Sequence, residues 1–352
     1  MAVFEAISGW FERVDPGTHR RVKGLRLVTA FGLAAMMGTL HAVASGVANG
    51  GTLSFLAGGF ALWASVSEAR IQRRDSTRDL LLLCLAAGIG AVVMLSFAAE
   101  LTGPGRPGSE IILASGAFCV GYLKRFGVLG AGIGSQIFIG QLLAYGAGLT
   151  HADFGTVVVA VAIAAVAAVV PRLLSGPAEH PAAAQEAPAI ARGPLRSPAE
   201  LVMGCQAAVA TLVIVALDDR FGLEEASWAI TACTYVIAST TSGTLDRVRR
   251  RIFGTLIGVP LGIACLPLAI DAPLLVWSAA AIAMIIYAMA LPNRYDVACG
   301  AYAFTLVVTL AAAGEHSTWL FAARIWETVV GGGLGLAAAL ILLPLHAPKS
   351  PG

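Results

Sequence analysis

Apolar runs, most of them about 17–25 residues long, follow one another along this chain, and each is long enough to cross a hydrocarbon layer of roughly 30 Å as a helix. They fall at 26–46, 52–68, 79–99, 110–123, 127–148 and 154–171, then at 200–217, 226–242, 252–271, 273–291, 296–313 and 320–344. In lipid no water pairs with backbone N–H and C=O groups, so such runs are restricted to helices. They lack the alternation and aromatic girdles of a membrane barrel. Charged residues make up 12% of the chain, about half the share in a soluble domain. The sequence therefore predicts an all-α integral membrane protein with about twelve transmembrane helices.

Charge supplies an orientation. With the N-terminus inside, 20 of the 23 Lys and Arg residues fall on the inner side, and only Arg106, Arg220 and Arg324 stay outside. That asymmetry follows the positive-inside bias and places both termini in the cytoplasm of a multi-pass inner-membrane protein. The net charge of +2 hides it and gives no reason to expect nucleic acid as a partner. The first apolar run begins after Arg26 and is long enough to span, so no cleavable leader is expected. Ahead of it, Val3, Phe4, Ile7, Trp10, Phe11 and Val14 fall at helical spacing and suggest an amphipathic helix on the inner face.

One segment divides the chain. Leu173–Pro198 holds Pro177, Pro181, Pro188, Pro194 and Pro198 among Ala, Gly and charged residues, and reads as a connector. The halves on either side align. Arg78 and Arg250, Gly90 and Gly262, and Thr156 and Thr328 are each 172 residues apart, and Arg125 and Arg294 are 169 apart. Six spans per half return the chain to its starting side, so the repeats are parallel. The expected organisation is an amphipathic segment (1–25), a first six-helix repeat (26–172), a linker (173–198), a second six-helix repeat (199–345) and a tail (346–352).

The densest signal runs from Ala238 to Gly262. A small polar run, Ser239–Thr241, leads into a loop carrying Arg247, Arg249, Arg250 and Arg251. A span follows with Gly254, Gly258 and Gly262 at four-residue spacing. Near the end come Arg324, Glu327-Thr328 and Gly331, Gly333 and Gly335. With Trp228-Ala229 opening a span, these features make residues 200–344 resemble the membrane domain of the fusaric acid resistance and aromatic acid exporter family. The first half resembles it as a worn copy: Arg78 lacks a following Gly-Thr, and Gly155-Thr156 lacks the Arg and Glu. The resemblance implies an inner-membrane protein linked to efflux of aromatic carboxylic acids. Many members carry a large soluble domain between two membrane blocks, where this chain has only its Pro-rich linker. Plant malate channels are distantly similar, which keeps a channel mechanism open.

Several residues carry a functional reading beside a structural one. Arg324 and Glu327 lie three apart, hence on one helix face. They either meet a substrate carboxylate and carry a proton, or form an interfacial ion pair. Arg250 and Arg251 either draw an anion toward the inner mouth or fix topology. Tyr302 and Trp228 are placed to stack on an aromatic substrate or to anchor at the interface, and Thr240 either lines a path or bonds between helices. Gly254, Gly258, Gly262, Gly331 and Gly335 read as close helix packing. Gly130-x-Gly-x-Gly134 follows no strand and is not a nucleotide loop.

The six cysteines lie singly within apolar runs, so neither a disulfide framework nor a metal site is expected. Scattered histidines and the lack of a nucleophile motif argue against an enzyme, and no cofactor is expected. The leading expectation is a secondary transporter that exports small aromatic or other organic acids with proton coupling. The alternatives are a passive organic-anion channel and a membrane assembly protein that transports nothing. The implied partners are a small organic anion and the lipid bilayer, with a homo-oligomer or a periplasmic partner left open.

Overall fold

The computed structural model describes residues 19–70, 72–103, 108–175 and 199–345. The expected amphipathic helix at 3–14, residues 176–198 of the linker and the tail from 346 lie outside the described residues. Every regular element within them is helical. Six helices of ten residues or more precede the linker: α1 (His19–Thr39), α2 (Gly50–Ser67), α3 (Arg73–Leu101), α4 (Leu113–Tyr122), α5 (Gly127–Gly146) and α6 (Phe154–Leu174). Six follow it: α7 (Ala199–Phe221), α8 (Ala226–Val236), α9 (Thr241–Ala264), α10 (Pro273–Ala290), α11 (Tyr295–Ala312) and α12 (Thr318–Ile341).

Among the described residues, seven helical stretches are both long and apolar enough to cross a membrane. They are α3, α6, α7, α10, α11, α12 and a continuous stretch, Ser109–Gly146, that contains α4 and α5. α1, α2, α8 and α9 are not among them, and part of the difference from twelve has physical causes. α4 and α8 have 10 and 11 residues, and at 1.5 Å per residue each reaches only about half the thickness of a hydrocarbon core. The basic run from Arg247 to Arg251, expected in a loop, lies inside α9, which starts at Thr241 rather than near 252.

Packing follows membrane rules. Large apolar side chains face outward, Leu274 at 78% exposure and Ile341 at 76%, while the interior is dense in Ala and Gly. Lipid supplies no hydrophobic drive between helices, so small residues that let backbones approach closely do the joining. A Cβ at Gly254 would run into the Asp296 carbonyl oxygen, and one at Gly258 into that of Gly300, so α9 and α11 touch backbone to backbone. Gly262 is closed off by Val307, Gly331 by Ala229 and Gly335 by Val236 and Cys233.

The contacts recur in order. In the first half α3 packs on α5 and α6, α4 on α5, and α1 and α2 on α6. In the second, α9 packs on α11 and α12, α10 on α11, and α7 and α8 on α12. The halves meet through α4 on α7 and α10 on α1. A detail repeats too. The residue before α2, Asn49, donates its backbone N–H to Thr156 Oγ1 on α6 at 3.4 Å. The residue before α8, Glu225, donates its own to Glu327 Oε1 on α12 at 2.9 Å.

Candidate functional site

Arg251 is one helical turn beyond Arg247 on α9, so the two share a face. Arg247 donates to the Ile237 carbonyl at 3.3 Å and so satisfies the open end of α8. Arg251 reaches deeper. It is 7% exposed, donates from Nη1 to the Tyr295 hydroxyl at 3.3 Å, and leaves its Nε without a partner. Neighbouring Arg250 points elsewhere. Its side chain is 41% exposed, pairs with Asp246 at 2.9 Å and bonds the Asn293 carbonyl. The sequence treats Arg250 and Arg251 as one cluster; 100° of helical rotation separates them, one to the surface and one to the interior.

The second cation comes from α12. Arg324 is 3% exposed, and its Nε also lacks a hydrogen-bond partner. Its guanidinium carbon sits 5.2 Å from the Trp228 ring centre and 5.8 Å from that of Tyr302, within cation–π range of both. Arg251 and Arg324 lie within electrostatic reach of each other. Among the described residues neither forms a salt bridge with a carboxylate. Glu225 and Glu327 act on Arg324 at a distance without a salt bridge, and two like charges buried unbridged are costly.

Tyrosines surround the pair. Tyr302 and Tyr287 lie 6.2 Å apart, Trp63 sits edge-on to both, and Tyr235 joins from α8. Tyr235, Tyr287 and Tyr295 come from α8, α10 and the start of α11, and each is half-buried. The cluster is cationic at two points and otherwise aromatic with hydroxyl tips. Such a cluster suits a planar, apolar body with a negative group, through charge-assisted hydrogen bonds to Arg and stacking on the rings.

Glu327 is fully buried on the same helix as Arg324. The two form no ion pair; Glu327 holds the start of α8 through the Glu225 N–H, and its Oε2 has no partner. Glu225, outside the long apolar stretches, has its carboxyl pushed up by burial, while the Ser227 hydroxyl and Arg324 act against that shift.

The structure thus brings Arg251, Arg324 and Tyr302 together, with Glu327 alongside and Arg250 outside. Thr240 caps α9, its hydroxyl accepting from the Gly243 N–H at 3.1 Å. The five glycines of the packing motif sit in helix contacts. The buried glutamines join helices, Gln136 to Ser67, Gln141 to Ser115 and Gln206 to the Leu342 carbonyl. A separate groove of about 580 Å³ opens between α9, α10 and α11. It is apolar, and its walls include Phe253, Ile257 and Ile282, each more than half exposed, so it reads as lipid-facing surface.

Residues missed in the sequence are Trp63, Tyr235, Tyr287, Tyr295 and Glu225. A signal was present for one of them: Tyr235 sits mid-run, like Tyr302, away from the run ends where Tyr and Trp serve as interface anchors.

Residues 208–338 match the family model described as Fusaric acid resistance protein-like. This stretch contains Trp228, Tyr235, Arg251, Tyr287, Tyr295, Tyr302, Arg324 and Glu327, and the second half of the chain is similar to that family where the resemblance located it. No curated protein and no solved structure matches the chain.

Proposed function

We propose that this chain is an inner-membrane secondary transporter that exports small organic acids, aromatic acids among them, against proton entry. The observation that carries the reading is the pair of buried arginines, Arg251 and Arg324, without a carboxylate partner among aromatic rings. An anion that enters replaces water's role for both cations and completes their hydrogen bonds. The similarity to the fusaric acid resistance family adds to this reading for the second half. The recurring helix contacts and the 172-residue spacings support two parallel six-helix repeats, with a path along their interface. In this arrangement both termini face the cytoplasm. α4 and α8 then serve as short helices buried among longer ones, where backbone ends can be satisfied by protein.

Coupling rests on Glu327. A buried carboxyl with one free oxygen, close to a binding cation, is placed to hold a proton when the anion has left. A passive channel has no use for such a group. The test is proteoliposomes loaded with labelled benzoate, with empty-liposome leak subtracted. An inward proton gradient is expected to speed release about tenfold or more, on the order of 1.4 kcal/mol of coupling. In the Glu327→Gln protein, which keeps an acceptor for the Glu225 N–H, release should run at one rate with or without the gradient. Unchanged gradient dependence removes Glu327 as proton carrier; equal wild-type rates with and without a gradient favour a channel.

A further inference from the structure

The matched segment, 208–338, does not hold the whole aromatic cluster around the two arginines. Trp63 belongs to α2, a first-half helix that packs on α1, α5 and α6. Its ring leaves that half and lies edge-on to two second-half rings: Tyr302 at 5.4 Å between centres and Tyr287 at 6.1 Å. The Arg324 guanidinium in turn lies over both the Tyr302 and the Trp228 rings. One tryptophan from each half therefore flanks the buried cation, Trp228 directly and Trp63 through Tyr302.

The crossing is reciprocal. Tyr235 is 172 residues after Trp63 and sits on α8, whose contacts match those of α2. It leaves the second half for α5, sharing a 2.7 Å hydrogen bond with Ser135 and packing edge-on to Phe138 at 5.8 Å. The two crossings differ in kind. Tyr235 ends in a hydrogen bond and a ring contact that fix it. Trp63 makes edge contacts and keeps accessible surface, and among the described residues its indole nitrogen forms no hydrogen bond. Edge-to-face packing turns ring edges toward the partner, so Trp63 holds Tyr287 and Tyr302 in place and with them the ring face that Tyr302 presents to Arg324.

We infer that Trp63, contributed by the first half, is a specificity-determining residue of the Arg251–Arg324 cluster, selecting planar aromatic over aliphatic anions. This rests on the transport reading above. The experiment compares transport of benzoate, naphthoate and hexanoate by the full chain in proteoliposomes, for wild type, Trp63→Phe and Trp63→Leu. Thermal denaturation of each purified protein checks folding. In Trp63→Leu the KM for benzoate should rise about five- to tenfold, as expected for loss of an aromatic contact, with kcat within twofold and the KM for hexanoate unchanged. Trp63→Phe should restore most of the benzoate affinity and admit naphthoate better than wild type. If Trp63→Leu changes all three acids by one factor, or none, while remaining folded, the proposal is overturned and the transport reading stands. If Trp63→Leu fails to fold, Trp63→Phe decides, and an unaltered benzoate-to-naphthoate ratio overturns the proposal. If wild type moves none of the three acids, the transport reading falls and this proposal with it.

Discussion

Asp79 on α3 and Arg251 on α9 stand 172 residues apart on helices that make the same contacts, and both are buried, at 4% and 7% exposure. Their surroundings differ. Asp79 pairs with Arg70 at 3.1 Å and lies 3.5 Å from Arg78. Arg251 has one long hydrogen bond to a tyrosine and no carboxylate. The pattern extends over each half. In the first, Arg172 donates to Ser76 at 2.7 Å, Lys23 donates to the Val66 and Glu68 carbonyls, and Glu68 lies 3.9 Å from Arg26. In the second, Arg324 rests on rings, and the carboxylate nearest to it in sequence, Glu327, points at a backbone N–H. One half settles its buried charge internally, and the other leaves it to be settled from outside. The same helix contacts thus hold a paired buried charge in the first half and unbridged ones in the second.

The comparison is broken most directly at Arg324. Charge-assisted hydrogen bonds contribute about 1.5–3 kcal/mol, so Arg324→Gln should lower kcat/KM for benzoate by roughly 10- to 150-fold. It should also leave the melting temperature level or raise it, because the substitution removes a buried charge that no salt bridge holds. Transport kinetics and a melting curve on the same preparation check both. A stable protein with less than threefold loss of transport would show that Arg324 is not the anion's partner. A melting temperature that falls steeply would show that its ring contacts hold the fold.

Asp79→Asn is the counterpart. Here the substitution takes the buried partner from two arginines whose side chains are half or more exposed, so solvent absorbs much of the loss. About 1–2 kcal/mol of stability is expected to go, which for a chain of this size is a drop of roughly 2–8 °C. The KM for benzoate should not move. Lowered affinity at unchanged stability would place Asp79 on the transport path and end the contrast between the halves.

How much of this was legible beforehand depended on which physical signal a residue carried. Apolar length located the helices, because lipid forces any such run to pair its own backbone. It gave twelve runs where seven described stretches are both long and apolar enough to cross, because hydropathy does not show where a run forms a short helix such as α8. The glycines of α9 were legible as packing, since small residues at four-residue spacing have little other use in lipid. Arg324 and Glu327 were legible as unusual, but not their separate partners, because spacing along one helix says nothing of what α8 and α11 bring to it. Trp63 was not legible as part of the site, because only the crossing of α2 toward α11 creates its contacts. The basic run misled. Four arginines in five residues read as a loop, yet α9 accommodates them by turning Arg251 inward while Arg247 reaches back to Ile237.

The finest test of the comparison lies within that run, between adjacent residues. Arg250 and Arg251 carry the same charge at the same depth along α9, and an electrostatic lure acting at a distance would draw on both. Binding by contact draws on Arg251 alone. Arg250 pairs with Asp246 one turn away at the surface, and such exposed pairs contribute about 0.3–0.5 kcal/mol. Arg250→Ala should therefore change neither the melting temperature by more than about 2 °C nor transport by more than about twofold. Arg251→Gln, by contrast, should follow Arg324→Gln. Salt separates the mechanisms further, because a charge acting across water is screened beyond roughly 8 Å at physiological ionic strength whereas a buried contact is not. If transport by Arg250→Ala falls several-fold at low salt and recovers toward wild type as salt rises, the outer face of α9 is an anion funnel. If it matches wild type at every salt concentration, the second half recognises its ligand by the inward-facing arginines only.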